Sequence, residues 1–154
     1  MIDFADVSLT KNGMIIDLRK SKTDQESSGR KVGIPFGHSN TCPVRTLRRW
    51  LKQARITSGP LSRPVNRHGR VAGHGLHKDS VGAILKNATK RAGMKTRPLA
   101  GHSLRAGCVT QAAMNGVNER DIMRQTGHKS QVVLAKYICV GQMFTHNAAA
   151  GLGI

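Results

Sequence analysis

The hydrophobic residues of this chain change their period once, and that change limits what it can fold into. Near the N-terminus, Met14, Ile16 and Leu18 alternate with Ile15, Asp17 and Arg19, after the turn signal Lys11-Asn12-Gly13. A period of two puts alternate side chains on one face of a strand. The run Phe4 to Leu9 is a plausible partner strand, and Lys31 to Phe36 (KVGIPF) a third, after the polar stretch TDQESSGR. From Pro43 onward the period lengthens to three and four. Val44, Leu47, Leu51 and Ala54 fit a helix with Pro43 near its start, and Val81, Ile84, Leu85 and Ala88 fit a second, capped by Asp79 or Ser80. The expected class is therefore α+β, mainly α: a small antiparallel three-stranded sheet followed by a helical bundle.

The helical pattern continues to the end of the chain. A helix is expected from about Ser103 to Met114, stopped by Asn115-Gly116. Asn118 can cap the next, with Asp121 three residues on, and that helix should end near Gly127. Ser130 can start another, on which Val133 and Tyr137 share a face at i and i+4. Gln142 to Ala149 reads as a last short helix. Residues 57–77, rich in Gly, Pro, His and Arg, read as a loop made basic by Arg63, Arg67 and Arg70. At 154 residues, one domain with a real core is expected. Aromatics are only 3%, so that core must come from Leu, Ile, Val, Met and Ala.

Charge narrows the partner. Lys and Arg number 25 against 8 Asp and Glu, a net +17. Such a surface repels itself unless it meets a polyanion, and nucleic acid is the default, since each neutralised phosphate releases counterions. An RNA-binding, ribosomal or membrane-surface protein would carry similar charge. Cys42, Cys108 and Cys139 are an odd, scattered set without a C-x-x-C pair, which fits neither a disulfide framework nor a zinc site. A reduced, cytoplasmic chain is expected, and no apolar run approaches the ~18 residues of a membrane span.

The chemistry sits in the second half. In HSLR, His102 and Arg105 share a helical face, and the start of a helix offers free N–H groups to an anion. Arg105 adds a planar fork suited to two phosphate oxygens, and His102 can donate a hydrogen bond or move a proton. In TGHKS, Gly127 lets the chain turn and leaves His128 at the mouth of a loop. Tyr137 follows nine residues later. Each motif alone has an ordinary reading: a solvated helix face, a capping histidine, a core tyrosine.

Together, HSLRAG, GVNERDIMRQTGHKS and LAKYI closely resemble the C-terminal signature of the tyrosine recombinases, the phage-integrase family, and FTHNAAAGLGI resembles the family's tails. The resemblance covers nearly the whole chain and implies the catalytic-core fold of DNA breaking-rejoining enzymes. It implies that Arg105 and His128 hold the non-bridging oxygens of the scissile phosphate, that His102 bonds the phosphate and assists proton transfer, and that Tyr137 attacks phosphorus to form a 3′-phosphotyrosyl link. No ATP, metal or other cofactor is implied. RKSKTDQESSGRKVGIP matches the family's hairpin, where Lys22 falls at the position of the general acid to the leaving 5′-oxygen, with Lys20 as its near rival.

The resemblance also implies double-stranded DNA as partner and assembly as a homo-oligomer, a tetramer, on it. The basic loop of Arg63, Arg67 and Arg70 would track the DNA backbone or simply be solvated, and Phe144 would pack on a neighbouring protomer or within its own chain. The family's other phosphate-binding Arg, on a helix before the first strand, has no counterpart here, nor has the N-terminal core-binding domain. A single catalytic domain, residues 1–154, with weak or no cleavage by itself is the expectation. A non-catalytic DNA-binding remnant, or a type IB topoisomerase-like enzyme, are the alternatives.

Overall fold

The structure is a computed structural model that describes residues 1–19, 29–94, 99–142, 149 and 152, with side chains described up to residue 139 of the last helix. Its contacts fall into two compact units, Met1–His77 and Lys78–Ile154.

The first unit is built on three antiparallel strands in the order β1 (Val7–Thr10), β2 (Gly13–Leu18) and β3 (Arg30–Pro35). Register follows the alternation: Ile16 stands opposite Val7 and Val32, and Met14 opposite Leu9 and Ile34. Met14 is buried with Cys42 and Val44, and Val7, Ile16, Ile34, Phe36 and Leu47 close around them. Ile15, on the other face, is exposed. The β1–β2 turn is made by Lys11 and Asn12, and Thr10 pairs with Gly13. Gly13 is thus the first residue of β2 rather than part of the turn. A Cβ there would lie 2.2 Å from the Ile34 carbonyl oxygen, so only glycine fits the sheet at this point.

The first strand is shorter than expected. Phe4–Asp6 forms a single 3-10 turn, because the buried Asp6 carboxylate accepts the Asp3 N–H at 2.8 Å and meets Arg19 Nε at 2.5 Å. A carboxylate held this way folds the backbone back on itself rather than extending it. Helix α1 (Pro43–Gln53) begins with its proline, whose missing N–H costs nothing in the first turn. It ends where Arg55 turns left-handed (φ 52°) and the Ile56 N–H returns to the Leu51 carbonyl at 3.0 Å. Trp50 donates its indole N–H to the Leu61 carbonyl at 2.8 Å, pinning the start of the 57–77 loop.

The second unit is helical: α2 (Ser80–Arg91), α3 (Gly101–Met114), α4 (Glu119–Thr126) and α5 (Gln131–Gln142). Its core is Val109 and Ala113 of α3, Ile122 of α4, and Leu134 and Ile138 of α5. The expected stops and starts are in place. Gly116 ends α3 with φ 75°, and Asn118 Oδ1 accepts the Asp121 N–H at 2.9 Å. Helix α2 departs from expectation: it has no buried residue, and Val81 and Ile84 of its apolar face are exposed. The core of this unit is made by the other three helices. The expected last helix and Phe144 lie outside the described residues, apart from Gln142, where α5 ends, and the isolated Ala149.

Burial in this core sets the first prediction. Leu134 is fully buried, whereas Val132, two residues away on the same helix, is 73% exposed. Leu134→Ala should cost about 2–5 kcal/mol in denaturant unfolding, and Val132→Ala should stay within about 0.5 kcal/mol of the parent. Equal effects would contradict the helix orientation described here.

Candidate active site

The described residues of the candidate site lie in the second unit, on α3, on α5 and on the turn after α4. Its first element is the start of α3. Ala100 and Ser103 bond reciprocally there, the Ser103 hydroxyl accepting the Ala100 N–H at 3.1 Å and the Ser103 N–H reaching the Ala100 carbonyl at 2.9 Å. This closes the first turn and sets His102 within it. His102 stands seven residues before the buried Val109, so it continues the stripe that α3 presents to α5. Tyr137 stands between Leu134 and Ile138, which anchor α5 in the same core, and it packs against that core itself.

The two stripes meet at the catalytic candidates. His102 Nε2 lies 3.0 Å from the Tyr137 hydroxyl, within hydrogen-bond range. The ring centroids are 6.4 Å apart, and the His128 ring centroid is 6.5 Å from that of Tyr137. His128 arrives because Gly127, with φ 70°, ends α4 in the left-handed conformation and turns the chain back. Arg105, one turn along α3 from His102, donates its Nε–H to His128 Nε2 at 3.3 Å. Among the described residues, the two terminal guanidinium nitrogens have no hydrogen-bond partner. Thr126, buried at the last turn of α4, bonds the Ile122 carbonyl at 2.6 Å and lies 2.7 Å from His128 Nδ1.

Four of the residues expected from sequence, His102, Arg105, His128 and Tyr137, therefore converge. Lys22 and its rival Lys20 lie outside the described residues. The basic loop belongs to the first unit. Arg63 clasps its own loop, donating Nε–H to the Pro60 carbonyl at 2.8 Å and a terminal N–H to Ser58. Arg67 and Arg70 are exposed on a small turn in which Asn66 Oδ1 accepts the N–H groups of His68 and Arg70, both at 2.9 Å. Thr126 was not singled out from sequence. The available signal was a hydroxyl two residues before His128, at a helix end where it can bond back to the preceding turn.

Electrostatics in the site favour anions. Burial holds the His128 pKa below the ordinary imidazole value, and the nearby Arg105 and His102 lower it further. The ring is thus kept neutral while no anion is present. Among the described residues, no cluster of His, Cys, Asp and Glu could hold a metal ion, and no helix is long and apolar enough to cross a membrane.

A three-stranded sheet and a helical unit that gathers His-x-x-Arg, Gly-His and Tyr define a recognisable class, and the chain belongs to the phage integrase family, whose model matches residues 1–142. An integrase/recombinase XerD homologue of Selenomonas ruminantium is 38% identical over 148 residues, which are 96% of this chain and 43% of that protein. Among solved structures, XerA recombinase superposes with a TM-score of 0.65 at 22% identity, over 94% of this chain and 48% of that one. XerH recombinase, solved as a post-cleavage complex with its palindromic difH substrate, gives 0.64 at 15%, over 99% and 39%. The fold is that of tyrosine-recombinase catalytic domains. The chain spans less than half the length of these relatives.

The His128 shift carries a pH prediction. A histidine whose pKa is lower folded than unfolded stabilises the fold above its unfolded value of about 6.5, and that contribution is lost as pH falls through the folded value. The thermal midpoint should therefore drop between about pH 7.5 and pH 5.5. His128→Gln should flatten that drop. Identical pH slopes in parent and variant would contradict it.

Proposed function

We propose that this chain is the catalytic part of a site-specific DNA recombinase, which cuts and rejoins double-stranded DNA through a covalent link to Tyr137. The observation that carries this reading is the 3.0 Å contact of His102 with the Tyr137 hydroxyl, beside Arg105 and His128. A free phenol has a pKa of about 10 and attacks poorly at neutral pH. His102 Nε2 is placed to take its proton as the phenol oxygen bonds to phosphorus. The bond from phosphorus to the 5′-oxygen breaks, and that oxygen leaves as a hydroxyl. Lys22, or Lys20, would supply its proton.

Arg105 and protonated His128 would hold the non-bridging oxygens and stabilise the charge that builds there. Because the phosphotyrosyl bond keeps the energy of the broken one, a 5′-hydroxyl from another strand can reverse the attack without ATP. Exchange between two duplexes needs several active sites together, which supports assembly as a homo-oligomer, a tetramer, on DNA. The net charge of +17 supports binding to the DNA backbone, with Arg67 and Arg70 available for it. Arg63 has its guanidinium engaged by its own loop and would contribute mainly by holding that loop in shape.

The test uses a nicked suicide DNA and the protein expressed from its full open reading frame. Tyr137→Phe should abolish the covalent adduct and leave non-covalent binding intact. Arg105→Ala should slow adduct formation about 10²–10³-fold. Salt-sensitive binding with no adduct in the parent would identify a non-catalytic DNA-binding remnant. Relaxation of supercoiled plasmid without a defined site would identify a topoisomerase-like enzyme.

A further inference from the structure

We propose that Thr126 is a positioning residue for His128: its hydroxyl locks the imidazole with the proton on Nδ1 and the lone pair of Nε2 toward Arg105. The proposal rests on the recombinase reading for its catalytic consequence and on geometry for the rest. Thr126 is buried, and its single hydroxyl hydrogen has two neighbours to choose from. The Ile122 carbonyl, at 2.6 Å, can only accept, so the hydrogen goes there. The 2.7 Å contact with His128 is then a bond in which Nδ1–H donates to a lone pair of the hydroxyl.

The far side of the ring agrees independently. Arg105 Nε–H has no lone pair to offer and can only donate. Its 3.3 Å bond therefore requires a bare Nε2. Two partners, one on α3 and one on α4, select the same neutral tautomer. Among the described residues, Arg105 and His102 of α3 and the Tyr137 phenol of α5 lie near this ring, while on α4 Arg124 is paired with Asp121 on the surface.

The consequence for the reaction is specific. When Arg105 turns its fork to a phosphate, Nε2 is released and can take a proton. The resulting imidazolium donates from Nε2 to the anion while Nδ1–H stays bound to Thr126. The ring needs no flip, so the donor is already aimed when charge develops at phosphorus. Without the hydroxyl, the ring could turn over or carry its proton on the wrong nitrogen.

The test compares Thr126→Val, which keeps shape and removes the hydroxyl, with Thr126→Ser, which keeps the hydroxyl. The primary readout is the pair of 15N shifts of the neutral His128 ring in DNA-free protein. Parent and Thr126→Ser should show a protonated Nδ1 and a bare Nε2, and Thr126→Val should gain a population protonated at Nε2. A parent ring protonated at Nε2, or a Thr126→Val ring like the parent's, would overturn the proposal. Adduct formation should fall about 10-fold in Thr126→Val, the scale on which orienting bonds to a working histidine act, and recover in Thr126→Ser. Parent-like cleavage by Thr126→Val would also overturn it. Should the parent bind DNA without cleaving, the recombinase reading fails, and the ring shifts still decide how His128 is held.

Discussion

The meeting of His102 and Tyr137 depends on the packing of α3 against α5. Val109 and Ala113 meet Leu134 and Ile138 there with essentially no exposed surface. Helical geometry carries that contact outward. His102 lies two turns before Val109 on one stripe, and Tyr137 lies beside Ile138 on the other, so a well-filled core brings the imidazole and the hydroxyl together. The position of the proposed nucleophile is thus a by-product of burying four aliphatic side chains. Because close-packed cores resist small changes of volume, the 3.0 Å contact inherits their rigidity.

His128 is held by different means. It is not on a helix, and its place is set by the left-handed Gly127 and by bonds at both ring nitrogens. In the absence of an anion, the site satisfies itself: the arginine donates to the histidine, and the histidine leans on the threonine. A phosphate would replace the arginine–histidine bond with stronger, charge-assisted ones. Burial and neighbouring cations that keep His128 neutral would then be countered by the phosphate's own charge.

Much of this was legible in the sequence because the relevant signals are local. Alternation in Met14, Ile16 and Leu18 set the sheet face, Asn118 with Asp121 marked a helix start, and Gly127 marked a helix end. The motif order of His102, Arg105, His128 and Tyr137 pointed to one site, and three-dimensional packing brought those residues together. What escaped depends on partners distant in sequence or on a choice among equivalent groups. The 3-10 turn at Phe4–Asp6 comes from Asp6 meeting Arg19 across the sheet. Arg63 looked like other arginines of its loop until its carbonyl partners were visible. The apolar repeat of α2 was genuine, but periodicity does not say whether a face is covered. Thr126 was one hydroxyl among many until its two bonds defined it.

The central claim is that the phenol of Tyr137 becomes covalently joined to DNA. The most direct measurement is protease digestion and mass spectrometry of the adduct formed on a suicide substrate, mapping the modified residue and the polarity of its link. The predicted result is a nucleotide on the peptide containing Tyr137, attached through a 3′-phosphate. Attachment to any other side chain, or through a 5′-phosphate, would contradict the account.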